Sequence, residues 1–135
     1  IDITLRNEEW KVYLDSKKQR NFDLVRYGWI ADYVDPNAFL DMWLSYGGNN
    51  DSGWKNPEYD ALIAEAGRTI DTQARFKIFQ KAEALLLDEM PILPIYYYTT
   101  VNLLRPSVKN WNLTILDHHP YKYVYLDAAA EKTKQ

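Results

Sequence analysis

The stretch RYGWIADYVDP, residues 26–36, decides how this chain is built. β-Branched and aromatic residues dominate residues 22–29, which predicts a β-strand. Asp35 followed by Pro36 predicts a helix start, with Asp35 as the N-cap and Pro36 at the first helical position. Asp32 falls on the irregular connection between strand and helix, where ligand-contacting side chains concentrate. A buried or half-buried carboxylate there needs a cationic partner, and a ligand can supply that cation.

The composition limits the class of protein. The 135 residues are 47% hydrophobic, enough for one modest core, and the 11 tyrosines and 5 tryptophans suit a binding surface as well as a core. A net charge of −3 with dispersed basic residues excludes a nucleic-acid footprint. No apolar run approaches the roughly 20 residues of a membrane span, and no signal peptide is recognisable.

The first residue is isoleucine, so we expect a processed, trimmed or excised piece of a longer chain. The absence of cysteine excludes disulfides and thiolate metal sites.

The pattern along the chain predicts an α/β fold with three main helices, few strands and a loop-rich β tail. Caps and apolar spacing predict helices over residues 8–18 (capped by Asn7), 36–46, 57–68 and 72–89. The last two should form a helical hairpin because only a short break separates them. β-Prone runs predict strands at residues 1–5, 22–29, 91–98, 101–105 and 122–126. The order of the first elements favours a right-handed crossover with parallel pairing, and the exposed edges favour association with a larger chain.

Two arrangements could support catalysis or metal binding, and neither is favoured. Asp32 and Asp35 could be the carboxylate pair of a glycoside hydrolase, with the aromatics as sugar platforms, but the neighbouring Pro36 favours an N-cap role for Asp35. His118 and His119 could bind a metal with Asp117, although adjacent residues of an extended chain point to opposite sides. No phosphate-binding glycine loop and no nucleophile elbow is present. We therefore predict no catalytic residue, no metal site and no cofactor.

Arg26 interrupts the apolar strand and has two interpretations. It can pair with a neighbouring acid such as Asp23, or its guanidinium can bind a carboxylate of a ligand. Tyr27 and Trp29 can belong to the core or form the wall of a pocket. Together, Arg26 and Asp32 could hold the two ends of a zwitterion.

Three ordered motifs resemble one family. The run FDLVRYGWIADYVDPNAFLDMW, residues 22–43, closely resembles the signature in the C-terminal half of the oligopeptide-binding proteins of ABC transporters, within the family-5 solute-binding proteins. NNDSGWKNPEYDALIAEA, residues 49–66, resembles the asparagine-rich turn and helix of that family. DTQARFKIFQKAEALLLDEMPILPIYYY, residues 71–98, resembles its following helix and strand. The resemblance covers about residues 1–126.

The resemblance implies a place in a larger protein. Family members have a periplasmic-binding-protein-like (class II) fold, in which two α/β lobes close over the ligand. Residues 1–98 would then be the C-terminal part of the second lobe, residues 99–127 a strand and loop tail that crosses back towards the first lobe, and residues 128–135 a disordered tail. The implied location is the periplasm or the extracellular face of the cytoplasmic membrane, with a lipid anchor possible in the full-length protein. The implied partners are an oligopeptide, the remaining N-terminal part of the same receptor, and ABC permease subunits.

The resemblance also implies the ligand-binding residues. Asp32 matches the aspartate that pairs with the α-ammonium of the peptide, and its presence favours a peptide over the non-peptide solutes that some members bind. Trp29 and Ile30 match positions that line side-chain pockets and offer backbone hydrogen bonds, with Tyr27 beside them. Arg26 matches a basic position that meets the C-terminal carboxylate of the peptide in some members. Tyr97 belongs to a tyrosine-rich strand near the cleft.

Overall fold

A hairpin of two long helices forms the centre of the fold. In the computed structural model, which describes residues 2–112 and 114–128, these helices are α3 (Pro57–Arg68) and α4 (Thr72–Glu89). The side chain of Asn56 caps α3 by accepting hydrogen bonds from the N–H groups of Glu58 and Tyr59 at 2.9 and 3.0 Å. Asp71 caps α4 through the N–H of Ala74 at 2.7 Å. Both helices and their hairpin arrangement were predicted, and both predictions are confirmed.

The core lies between the facing sides of this hairpin. On α4 the buried side chains are Ile78, Phe79, Ala82 and Leu86, and Phe76 lies at the edge, 41% exposed. The buried residues of this cluster are Leu40, Tyr59, Ile63, Ala66, Ile78, Phe79, Ala82 and Leu86.

Two shorter helices precede the hairpin. Helix α1 (Trp10–Lys18) begins two residues later than predicted, because the cap is Glu9, which accepts from the N–H of Lys11 at 2.9 Å, and not Asn7. Helix α2 (Asn37–Leu40) continues only as a 3₁₀ turn, Asp41–Trp43, so the predicted helix to residue 46 is too long.

The side chain of Asn50 explains why α2 stops early. Its amide donates to the carbonyls of Trp43, Leu44 and Trp54 at 3.3, 3.1 and 2.8 Å. The first two are carbonyls that a continuing helix would bond to its own next turn. The buried asparagine therefore satisfies the end of the helix from the following loop.

Most of the predicted strands are not formed. The described parts of residues 1–5, 22–29, 91–98 and 101–105 carry no strand, so the predicted parallel crossover is wrong as well. A strand requires a hydrogen-bonded neighbour, and the described residues supply none for these segments.

The only strands in the described part of the chain are β1 (Val108–Lys109) and β2 (Tyr125–Leu126). They pair antiparallel, with Val108 opposite Leu126. The predicted strand at residues 122–126 is thus shortened by a 3₁₀ turn at Tyr121–Tyr123.

The chain divides into two compact units. The first contains residues 2–30 and 35–93, and so includes all four α-helices. The second contains residues 31–34 and the described residues from 94 onward, and its two strands are reinforced by a 2.7 Å hydrogen bond from the N–H of Asp127 to the carbonyl of Ser107. The predicted tail at residues 128–135 lies, beyond Ala128, outside the described residues. None of the described helices is both long and apolar enough to cross a membrane.

Two polar contacts attach α2 to the hairpin. The hydroxyl of Tyr59, a fully buried residue, donates to the carbonyl of Leu40 at 2.6 Å, and burial raises the pKa of Tyr59 so that the hydroxyl keeps its proton. The carboxylate of Asp35 accepts two hydrogen bonds from the guanidinium of Arg75 on α4, one of them at 2.8 Å between Oδ1 and Nη2. Asp35 also accepts a hydrogen bond from the N–H of Asn37 at 2.9 Å. The N-cap of α2 is nevertheless Pro36 and the helix begins at Asn37, so the prediction of Asp35 as the N-cap and Pro36 as the first helical residue is wrong by one position.

The Tyr59→Phe substitution should lower the free energy of unfolding by about 1–2 kcal/mol, because it leaves the buried carbonyl of Leu40 without its donor. Chemical denaturation of the 135-residue chain at pH 7 measures this. Tyr46→Phe is the matched control, since Tyr46 is 76% exposed. Equal stability of the two variants would contradict the assigned role of the hydroxyl.

The ion pair of Asp35 should make stability depend on pH. The hydrogen bonds from Arg75 lower the pKa of Asp35 below its ordinary value of 3.8, outweighing the opposing effect of burial. A carboxyl with a lowered folded-state pKa contributes stability above the unfolded-state pKa and loses it as the pH falls through the folded-state value. The stability difference between wild type and Asp35→Asn should therefore be constant from pH 7 to about 5 and shrink below about pH 4. Urea midpoints across this range measure it, and a difference that persists undiminished at pH 2 would contradict the assignment.

Candidate ligand-binding site

Asp32, the predicted ligand carboxylate, is exposed. It makes no hydrogen bond or ion pair with any residue in the described ranges, so the expectation that it lies buried or half-buried is wrong. Its neighbour Ile30 is also exposed, at 74%. The carboxylate of Asp32 is thus solvated and has no cationic partner among the described residues, so it can accept a cation from outside.

Trp29 is fixed by a hydrogen bond while part of its ring stays accessible. Its indole N–H donates to the carbonyl of Ala38 in α2 at 2.8 Å, and the side chain is 36% exposed. Tyr27 lies beside it, with ring centroids 6.5 Å apart, and makes an edge-on contact with Trp43 at 6.4 Å. The three rings form a partly buried aromatic cluster, which agrees with both interpretations of Tyr27 and Trp29: they pack, and they leave an apolar surface.

Lys17 supports this cluster from the end of α1. Its ammonium lies 4.0 Å from the centroid of the Tyr27 ring and forms a 2.8 Å ion pair with Asp51. Burial acts to lower the pKa of Lys17, but the hydrogen bond to Asp51 and the charges nearby outweigh it and raise the pKa. The lysine therefore stays charged and holds one face of the tyrosine ring.

Arg26 is exposed, and its side chain has no hydrogen-bonded or ionic partner in residues 2–112 and 114–128. The alternative in which it pairs with Asp23 is not formed. Its backbone, by contrast, is held, because the hydroxyl of Tyr13 on α1 donates to the carbonyl of Arg26 at 2.7 Å. The guanidinium is therefore available to an external anion.

The ion pair of Asp35 disfavours a catalytic carboxylate pair with Asp32. Its two oxygens are engaged by the guanidinium of Arg75, and both side chains of this ion pair are about a quarter exposed, at 23% and 26%. Glycoside hydrolysis needs two carboxyl groups free to act on the substrate, and one of these two is committed to structure.

Tyr97 is 98% exposed and has no hydrogen bond to the part of the chain that the structure describes. The flanking rings of Tyr96 and Tyr98 lie on the same side of the chain, 6.3 Å apart. Alternation along an extended segment explains this: residues i and i+2 share a face, and the residue between them points the other way.

The two histidines do not form a metal site. His119 bonds to the carboxylate of Asp117 at 2.8 Å and to the carbonyl of Asn112 at 2.9 Å, and its ring stacks on Trp111 at 4.3 Å. The hydrogen bond from His119 is the main cause that lowers the pKa of Asp117. His118 is held through its backbone instead. Among the described residues no group of three metal-binding side chains occurs.

The sequence interpretation missed Arg75. Its guanidinium bonds to Asp35, its Nε donates to the carbonyl of Ala66 at 3.2 Å, and its face covers the ring of Phe79 at 4.6 Å. The sequence did contain a signal for this ion pair, because Arg75 lies one turn before Phe79 on the buried side of α4. A cation in that position requires a partner.

Comparison with known proteins identifies the same family as the motifs. The chain is 39% identical over 111 residues to the periplasmic murein peptide-binding protein MppA of Escherichia coli, covering 82% of this chain and 21% of that protein. It is 39% identical over 123 residues to the probable deoxycholate-binding periplasmic protein YgiS of Escherichia coli, covering 91% of this chain and 22% of that protein. No family model matches.

Solved structures also match this chain. The crystal structure of Haemophilus influenzae OppA in complex with the peptide RPPGFSPFR matches with a TM-score of 0.84 at 36% identity, over 93% of this chain and 25% of that one. The chain thus spans about a fifth of the length of the curated relatives it matches. The chain belongs to the family-5 solute-binding proteins, the family of OppA and MppA, and its α/β fold is part of their two-lobed fold.

Proposed function

We propose that this chain is the C-terminal part of an extracytoplasmic receptor that binds oligopeptides for an ABC importer, and that Asp32 receives the α-ammonium of the peptide. The observation that carries the proposal is the different state of two nearby carboxylates. Asp35 is paired with Arg75, whereas Asp32 is exposed and unpaired within the described residues. A carboxylate that accepts an ammonium hydrogen bond contributes on the order of 1.5–3 kcal/mol net.

The remaining candidate residues suit the other parts of a peptide. Trp29 offers an accessible aromatic surface on a fixed indole, and Tyr27 supports it. Ile30 follows Trp29 with its side chain exposed. Arg26 can meet the C-terminal carboxylate, and Tyr97 presents a free phenol. A receptor for many peptides needs fixed contacts for the groups that all peptides share and adaptable surroundings for their side chains.

The complete receptor would contain this chain and the remaining N-terminal part of the same protein. In it, residues 1–98 would belong to the second lobe and residues 99–127 would cross back towards the first. Long exposed apolar side chains support this, since Ile95, Val101 and Leu103 are 80%, 82% and 95% exposed. Such surfaces and unpaired extended segments are normally covered by another part of the protein. We place the receptor in the periplasm or at the outer face of the cytoplasmic membrane, with ABC permease subunits as its partners, and we assign it binding and no catalysis.

A second candidate is a receptor of the same family for a non-peptide solute. It is favoured by the similarity to a relative named as a probable deoxycholate-binding protein. The carboxylate of Asp32 discriminates between the two candidates, because a bile acid has no ammonium group to pair with it.

In the complete receptor, Asp32→Asn should weaken the binding of free tri- to pentapeptides at least tenfold, because the ammonium loses its charged acceptor, a loss on the order of 1.4 kcal/mol or more. N-Acetylated versions of the same peptides should bind weakly to the wild type and be little affected by the substitution. Isothermal titration calorimetry measures both. Deoxycholate, titrated in parallel, tests the second candidate.

Asp23→Asn is the matched control, because Asp23 is another exposed aspartate of the same segment without a described ionic partner. It should leave every affinity within twofold. Equal affinity of the wild-type receptor for free and acetylated peptides would contradict the proposed role of Asp32. Deoxycholate binding without peptide binding would replace the first candidate with the second.

The 135-residue chain alone should bind peptides weakly, with a dissociation constant of about 1 mM or above, because one lobe cannot enclose a ligand. The same titration calorimetry, with the complete receptor as the positive control, checks this. Micromolar binding by the isolated chain would show that the second wall of the site is not required.

A further inference from the structure

The imidazole ring of His119 lies between two oxygen atoms of the second compact unit. Its Nδ1 is 2.9 Å from the carbonyl oxygen of Asn112, and its Nε2 is 2.8 Å from Oδ1 of Asp117. Hydrogen bonds from His119 and Thr100 hold the pKa of Asp117 below its ordinary value of 3.8, so this carboxylate is ionised at neutral pH. A carbonyl oxygen and an ionised carboxylate can only accept hydrogen bonds. Both ring nitrogens therefore face acceptors.

Only the charged form of the ring can donate to both oxygens. A neutral imidazole carries one N–H and one lone pair, whereas an imidazolium carries two N–H groups. In the neutral form, one nitrogen lone pair would point at an oxygen lone pair and one hydrogen bond would be lost. The side chain of His119 is only 9% exposed, so water has little access to replace that bond.

The rings around His119 also suit a cation. The imidazole stacks on Trp111 with a centroid distance of 4.3 Å, and a cation over an indole face is attracted by its π-electrons. The indole N–H of Trp111 is buried and has no hydrogen-bond partner among the described residues, so ring contacts hold this side chain, with Tyr121 as its second neighbour at 5.6 Å. Besides Asp117, the titratable groups that the described contacts place near the ring are His118 and Tyr121.

The ring of His119 closes the connection between β1 and β2. It bonds to Asn112 and Asp117, and the other carboxylate oxygen of Asp117 accepts from the hydroxyl of Thr100 at 3.0 Å. The N–H of Asp117 bonds to the carbonyl of Thr114 at 3.0 Å, which closes a turn inside this connection. Asp117 has a φ of 55°, in the left-handed region that is unfavourable for residues other than glycine. These contacts hold it there.

We propose that His119 is a pH-sensitive switch of the second compact unit: its charged ring holds residues 112–119 in place, and the loss of one ring proton breaks one of its two hydrogen bonds. A proton that is bound more tightly in the folded state stabilises the fold at low pH, and this contribution is lost as the pH rises through the range in which the ring titrates. For histidine that range lies near neutral pH. The direction is opposite to that of Asp35, and the inference does not depend on the proposed function.

The test uses the 135-residue chain with ¹⁵N-labelled histidine, because the chain has only two histidines. One readout is the set of ring N–H signals. The other is the hydrogen-exchange protection of the backbone N–H of His118, which donates to the hydroxyl of Thr114 at 2.8 Å. Protection is the exchange rate relative to that of an unfolded peptide at the same pH.

Both ring N–H protons of His119 should be visible at about pH 5.5, because hydrogen bonds slow their exchange, whereas those of the exposed His118 should exchange away. The protection of the His118 N–H should fall about fivefold or more between about pH 5.5 and about pH 8, as expected for the loss of one hydrogen bond. The wild-type measurement alone decides the matter if a variant is disordered.

In His119→Asn, the protection of the His118 N–H should be lower at about pH 5.5 and change less than about twofold up to about pH 8. Lys122→Asn is the matched control. It also removes a cationic side chain from the second unit, but Lys122 is exposed and its described contact is the ring of Tyr123. This variant should keep the pH dependence of the wild type.

Three results would overturn the inference. The first is that the ring N–H protons of His119 exchange as fast as those of His118 at about pH 5.5. The second is that the wild-type protection of the His118 N–H does not change with pH. The third is that the protection falls equally in His119→Asn, since the pH dependence would then belong to another group.

Discussion

The packing of α3 against α4 is the interaction on which the rest of the described helical unit depends. The facing sides of these helices form most of the buried cluster, to which Leu40 of α2 is added. Helix α2 attaches through the hydroxyl of Tyr59. The loop before α3 attaches at the far end of α4, where Glu89 accepts hydrogen bonds from Trp54 and Asn56, both at 2.6 Å. A core of this size has little redundancy, so each polar contact to the hairpin decides where a loop lies.

The hairpin also distinguishes two aspartates of the preceding segment. Asp32 and Asp35 are three residues apart and have the same side chain, yet their surroundings differ. The guanidinium that α4 presents binds Asp35, keeps it ionised and commits it to structure. Asp32 is exposed to solvent and has no ionic partner among the described residues. One arginine on the hairpin is the physical basis of the difference between the two aspartates.

The segments that were predicted as strands depend on pairing partners that the described residues do not supply. Residues 22–29 and 91–105 have the composition of strands, and they remain extended or irregular with many apolar side chains exposed. The chemistry that favours a strand is local, but a sheet forms only when a second segment offers its hydrogen-bonding edge. The relatives are about four times as long as this chain.

The sequence by itself determined the features that depend on neighbouring residues. The asparagine and aspartate caps, the spacing of the apolar side chains and the short break between residues 68 and 72 predicted the hairpin correctly, and three ordered motifs identified the family. The tertiary structure alone decided that Arg75 reaches Asp35 across 40 residues, that Trp29 bonds to α2, and that Asn50 ends that helix early. It also corrected the expected burial of Asp32 and the predicted strands. The physical reason is range: a cap or an apolar stripe is complete within a few turns, whereas an ion pair or a sheet requires two distant segments to meet.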